Sequence, residues 1–125
     1  MEISMRVIIS GCRNARIATC GKIIDDYLAT LPSGCTIIHG NCKGVDLIAD
    51  VLARKRGMNV IAKSPDWKTY GKAAGPMRNI ELLNEDPDLV VCFHSCIEKS
   101  KGTRHMKTIA EKKGIKTLYF KIPME

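Results

Sequence analysis

Residues 39–46 read H-G-N-C-K-G-V-D and residues 100–105 read S-K-G-T-R-H. In both, glycine precedes a segment whose apolar residues recur at helical spacing. That arrangement aims unpaired backbone N–H groups, and the positive end of a helix, at an anion. A third segment, S-G-C-R-N-A-R at 10–16, puts Gly11 between an apolar run and another helical pattern. The chemistry these residue types suit is phosphate binding. Gly11, Gly40, Gly44 and Gly102 permit close backbone approach, Arg13 brings charge, and Thr103 is expected to cap the helix that follows it. No complete G-x-G-x-x-G is present, so a dinucleotide fingerprint is not supported. Asp46 carries two readings of equal weight: an acceptor for ribose hydroxyls, or a first-turn carboxylate worth ~0.5 kcal/mol to the helix dipole. His39 is equally a ligand contact or a histidine satisfied at the core's edge.

Residues 65–79, P-D-W-K-T-Y-G-K-A-A-G-P-M-R-N, match neither a strand nor a helix period. Fifteen residues exceed a plain connection, and long connections inside compact domains are commonly functional. The stretch is expected to form a lid or wall over a ligand. Trp67 or Tyr70 would stack on a base and Arg78, at a helix start, would reach a phosphate; the competing reading makes Trp67 a plug at the edge of the core.

The elements that must position these loops alternate regularly. Strands are expected at residues 5–11, 36–40, 59–62, 88–93 and 116–121. Helical spacing covers 17–31, 45–56, about 76–84 and 103–113, with Gly57 and Gly114 in C-cap positions. Strands separated by helices require right-handed crossovers and a parallel sheet covered on both faces. The runs V-I-I, T-I-I and L-V-V suit strands buried on both sides. The fold expected is α/β and Rossmann-like, a five-stranded parallel sheet in the order 3-2-1-4-5 forming a single domain over residues 1–125. Ligands in such sheets bind beyond the carboxyl ends of the strands, where strand order reverses. The four loops on that edge (11–16, 39–46, 64–79 and 94–105) hold nine cations and three carboxylates, a net +6 of the chain's formal +7.

Composition bounds the rest. The 125 residues are 45% hydrophobic and 26% charged, ordinary for a soluble domain. No apolar run nears the ~20 residues of a membrane span, and no membrane partner is expected. The N-terminal M-E-I-S-M-R-V-I-I-S lacks a cleavable signal pattern; a cytoplasmic location with reduced thiols is the expectation. Cys12, Cys42 and Cys96 fall on the ligand edge near His39, His94 and His105. Their spacing is irregular and no C-x-x-C occurs, so neither a metal nor another cofactor is expected.

With these motifs assembled, the chain resembles the SLOG superfamily of Rossmann-like domains, in its YspA/YpsA-related branch. The resemblance rests on S-G-x-R at 10–13, H-G-x-x-x-G-x-D at 39–46, D-W-x-x-Y-G-K-A-A-G-P-x-R-N at 66–79 and K-G-T at 101–103. It implies a pocket for a nucleotide or nucleotide-derived ligand between the first and fourth strands. The residues holding that ligand would be Gly11, Arg13, His39, Gly40, Gly44, Asp46, Trp67, Tyr70, Arg78, Asn79, Gly102 and Thr103. Relatives in the superfamily include LOG-type phosphoribohydrolases, whose motif is P-G-G-x-G-T-x-x-E, and DprA-type DNA-binding proteins. Here the glutamate position is Met106, and Ser100-Lys101 replaces the double glycine, so LOG-type catalysis lacks its carboxylate. Asp46, Asp66 and Glu98 are the candidate substitutes. Three readings follow: a sensor- or carrier-type nucleotide-binding module; a hydrolase of an N-glycosidic or phosphoester bond; and a binder of single-stranded nucleic acid. A homodimer is a further expectation, because the superfamily often dimerises.

Overall fold

The computed structural model describes residues 5–123; residues 1–4, part of the N-terminal segment considered above, lie outside the described residues. The strands are β1 (Arg6–Gly11), β2 (Thr36–His39), β3 (Asn59–Ala62), β4 (Leu89–His94) and β5 (Lys116–Lys121). They form one parallel sheet in the order β3-β2-β1-β4-β5, the expected order. Strand direction reverses nowhere, but strand order does, between β1 and β4.

Alternation along the strands sorts the core into two layers. Val7, Ile9, Ile37, Leu89, Val91 and Phe93 pack with Cys20, Ile24 and Leu28 of α1 (Ile17–Leu28) and with Val45, Ile48, Ala49 and Ala53 of α2 (Val45–Lys55). On the opposite face, Ile8, Ile38, Val90 and Cys92 meet Leu82 and Leu83 of α4 (Ala74–Leu83) and Met106 and Ala110 of α5 (Gly102–Lys112). Because successive side chains of a strand point to opposite faces, the continuous apolar runs serve both layers. Burial pushes the thiols of Cys35 and Cys92 up to about 11 and about 12, so these two behave as inert core hydrophobes.

Residues 65–79 depart from expectation: most of this connection is helical. A single-turn helix, α3 (Trp67–Tyr70), is followed by a 3-10 turn (Gly71–Ala73) and then by α4, which starts at Ala74 instead of Pro76. Asp66 caps α3 by accepting the Thr69 N–H at 3.1 Å. Gly71, with φ of 53°, breaks the helix where a side chain would be strained. Pro76 sits in the first turn of α4, whose N–H groups have no intrahelical acceptor to lose. Trp67 is 51% exposed and does not plug the core. A second departure is smaller: α1 stops at Leu28, three residues early, as the Thr30 and Leu31 N–H groups donate to Tyr27 O and Leu28 O in tighter turns, with Pro32 disfavouring helical backbone at Leu31.

Candidate functional site

Three loops converge where β1 and β4 diverge, and the first two are pinned to their neighbours by close contacts that only glycine allows. A Cβ on Gly11 would lie 2.2 Å from the Phe93 carbonyl oxygen and 2.6 Å from Val45 Cγ2. Its absence lets β1, β4 and α2 close together, with the Cys12 N–H donating to Phe93 O and the Val45 N–H to Cys12 O, both at 3.0 Å. Gly44 has φ of 88°, and a Cβ there would meet Cys12 O at 2.2 Å. The loop after β2 is therefore wedged against the loop after β1.

Beneath this junction lies a buried polar network. Asp46 Oδ2 accepts the N–H groups of Gly40 at 3.0 Å and Cys42 at 3.3 Å, closing the 39–46 loop on itself. Burial pushes the Asp46 carboxyl above its ordinary range, against the opposing pull of His39, Arg78 and the two amides. Arg78, 8% exposed, donates from Nη1 to the Gly40 carbonyl at 2.5 Å and to Cys42 Sγ at 3.6 Å, and from Nε to Asn79 Oδ1 at 3.1 Å. A Cβ on Gly40 would lie 2.3 Å from that guanidinium, so the glycine clears space for the arginine. Among the described residues nothing accepts from Arg78 Nη2. Asn79 passes the connection on: its Nδ2 donates to Gly102 O at 3.2 Å and lies 3.1 Å from His105 Nδ1.

The helix α5 begins at this network. Ser100, not Thr103, provides the capping side chain: Ser100 Oγ accepts the Thr103 N–H at 2.9 Å. Thr103 lies in the first turn, 4% exposed. The space beside Gly102 Cα is open to 4 Å. The N-terminus of an eleven-residue helix thus faces a cleft of about 420 Å³ lined by Gly11, Arg13, Asp46, Arg78, Asn79, Gly102 and Thr103. That volume suits a small ligand. Arg13, Arg78 and Lys101 line it against one carboxylate, Asp46, so its field favours an anion.

Seven of the twelve expected ligand residues line this cleft. Gly40 and Gly44 shape its floor from below. His39 also stands below it, fully buried, with Nδ1 accepting the Asn41 N–H at 2.9 Å and Nε2 lying 2.6 Å from Asp50 Oδ2. Both ring nitrogens are occupied within the protein, so His39 holds the loop. Trp67 borders two smaller adjoining clefts, of about 330 and 250 Å³. Tyr70, 44% exposed, lines none of the three.

Of the candidate carboxylates, only Asp46 reaches the cleft. Asp66 is spent as the α3 cap, and the Thr69 hydrogen bonds hold its carboxyl below the usual range. Glu98 lies exposed in the 3-10 turn Ile97–Lys99 and does not line the cleft. Met106 is fully buried in the core, so α5 presents no side chain to the cleft at the LOG-type glutamate position. Cys12 and Cys42 line the cleft and Cys96 does not. Among the described residues no three His, Cys, Asp or Glu side chains group as metal ligands, and no helix is long and apolar enough to cross a membrane.

Sequence reasoning missed Asn14, Ser95 and Ser100 as lining residues and gave His94 no role in the site. Ser100 was findable, since a hydroxyl three residues before a helical N–H is a capping signal. His94 ends β4 as His39 ends β2, its Nδ1 accepting the Cys96 N–H at 2.9 Å; burial holds its imidazole below the usual pKa.

Residues 5–70 match the family described as YspA, cpYpsA-related SLOG. That region includes the first two motifs and stops inside the third, before Arg78. Over 121 residues the chain is 37% identical to the Gene 61 protein of Mycobacterium phage D29, covering 92% of this chain and 95% of that protein. The convergent loops, the strand order and both similarities agree: the chain belongs to the YspA, cpYpsA-related SLOG family.

Proposed function

We propose that the cleft between β1 and β4 binds the phosphate of a nucleotide or nucleotide-derived ligand, making the protein a sensor- or carrier-type module. The observation that carries this reading is Arg78: a guanidinium 8% exposed, lining the cleft with one nitrogen unpaired among the described residues. No buried side-chain nitrogen or oxygen among the described residues lacks a hydrogen-bond partner, so Nη2 is the accessible end of the guanidinium, and an oxyanion entering the cleft can accept a charge-assisted hydrogen bond from it. The N-terminus of α5 and the cations Arg13 and Lys101 border the same space, which suits an oxyanion. In this reading the phosphate sits at Gly102 and Thr103, the sugar lies toward Asp46, and the base extends toward Trp67. Family membership is consistent with a nucleotide-related ligand.

The test is a thermal-shift series with adenosine monophosphate, ribose 5-phosphate and adenosine. The two phosphorylated compounds raise the Tm and adenosine does not. Arg13→Ala, at an exposed position, weakens the shift without unfolding the protein, and Arg78→Gln removes it. A Tm indifferent to all phosphorylated compounds contradicts the reading.

A second reading rests on Asp46, a carboxyl in the cleft whose proton affinity burial raises. Such a group can act as a general acid or base in N-glycosidic or phosphoester hydrolysis. Chromatography of the incubated nucleotide separates the two: intact ligand supports the binding module, and free base with ribose phosphate, absent in Asp46→Asn, supports the hydrolase. Binding of single-stranded DNA with affinity falling steeply in salt, without any response to small nucleotides, would favour the nucleic-acid reading.

A further inference from the structure

We propose that the ligand carries a second anionic group beyond its nucleoside, and that this group is taken by the adjoining cleft between α3, α4 and the start of α5. This deepens the nucleotide reading above and rests on it. The adjoining cleft, about 250 Å³, is bordered by Trp67, Lys72 and His105, which do not line the main cleft. It shares Arg13, Arg78, Asn79, Lys101 and Gly102 with the main cleft. The two spaces therefore meet across the α5 N-terminus, where the first phosphate is placed.

Charge argues for two anions instead of one. No carboxylate lines the adjoining cleft, while Arg13, Lys72, Arg78 and Lys101 all do. None of these four cations has a carboxylate partner among the described residues. Elsewhere on the molecule Arg6, Lys22, Arg54, Arg56, Lys63 and Lys107 are each paired with an acid, and cations unpaired among the described residues, such as Lys55, Lys112 and Lys116, are exposed. What sets these four apart is that they border one shared space. Four unpaired cations around one continuous space repel one another, and a single phosphate at Arg78 leaves Lys72 unanswered. Trp67 supplies the second requirement. It is 51% exposed, and its Cη2 lies 3.7 Å from where a Cβ on Gly75 would stand, so the ring is backed by α4 and open toward the cleft's solvent side. An indole held beside cations stacks a base while they take the charge next to it.

Trp67 is the chain's one tryptophan, so its emission reports on the two small clefts it borders, and Lys72, which lines only this one, tells them apart. The probes are ribose 5-phosphate, adenosine monophosphate and adenosine carrying phosphates on both the 3′ and 5′ hydroxyls. Ribose 5-phosphate raises the Tm and leaves the emission unchanged. The monophosphate quenches it, and the bisphosphate quenches it with affinity about tenfold higher, the scale of one added charge-assisted contact. Lys72→Ala, at an exposed position, erases that tenfold advantage and leaves monophosphate affinity unaltered. Equal affinities in the wild type, an advantage that survives Lys72→Ala, or monophosphate binding without change in Trp67 emission each overturn the second subsite while phosphate binding stands. No response to any probe removes both.

Discussion

The loop after β2 and the connection after β3 border the same edge of the sheet and are built on opposite principles. In the loop after β2, His39, Asp46 and the Arg78 that docks on it are buried, and each polar contact turns inward. In the connection after β3, Trp67, Tyr70 and Lys72 are exposed and the hydrogen bonds are those of short helical turns. Apart from Arg78 Nη2, the first region has spent its hydrogen-bonding capacity on shape. The second has kept its aromatic and cationic groups available. A site that holds a phosphate benefits from both, because a preorganised floor lowers the ordering cost of binding and an open wall supplies contacts.

The comparison breaks most visibly at the floor. Arg78→Ala removes contacts to Gly40, Cys42 and Asn79 and leaves a buried void; chemical denaturation is expected to register a loss of about 3 kcal/mol. Asp46→Ala orphans the amides of Gly40 and Cys42 and costs about 2–3 kcal/mol. Asp46→Asn keeps an oxygen able to accept both and stays within about 1 kcal/mol of wild type. Next comes Gly40→Ala, whose new Cβ must displace the guanidinium 2.3 Å away; about 1–2 kcal/mol is expected, together with a weakened nucleotide response.

A pH series sharpens the same contrast. Burial raises the Asp46 carboxyl above its ordinary 3.8, so between 3.8 and the raised folded value the folded protein holds a proton that the unfolded chain has released. Stability from this group is highest below pH 3.8, falls as pH rises through that window, and is level above it. The difference in unfolding free energy between wild type and Asp46→Asn isolates that slope from the other carboxylates. Its absence would mean that Asp46 is ionised as readily folded as unfolded. The smallest effects belong to the wall: Trp67→Ala and Tyr70→Ala are expected to shift stability by no more than about 0.5 kcal/mol, while Trp67→Ala lowers nucleotide affinity.

The same contrast explains what could be read from the residues. The sheet was legible because V-I-I, T-I-I and L-V-V are buried on both faces and their spacing leaves room only for crossover helices. Gly11, Arg13, Asp46, Arg78 and Gly102 were legible as residues of the strand-end edge, and they line the cleft there, because glycine and charge gather at strand ends. The helical character of 65–79 was not legible: a four-residue turn has no period, Gly71 does break α3, and Gly75 and Pro76 read as breakers although both sit in the first turn of α4, where a helix tolerates them. Nor was the division of labour among polar residues. Residue type alone could not tell that His39 spends both nitrogens below the cleft, that Asp66 is a cap, or that Arg78 reaches a carbonyl 38 residues away. Those facts belong to tertiary geometry, which pairs residues far apart in the chain.

The central claim is that a phosphate sits at the N-terminus of α5, and backbone amide resonances read that position directly. Titrating ¹⁵N-labelled protein with adenosine monophosphate should move the Gly102 and Thr103 amide signals farthest, with Arg13 and Asn14 following and the α1 and α2 helix interiors unmoved. Shifts confined to other parts of the surface, or none at saturating ligand, would contradict the account.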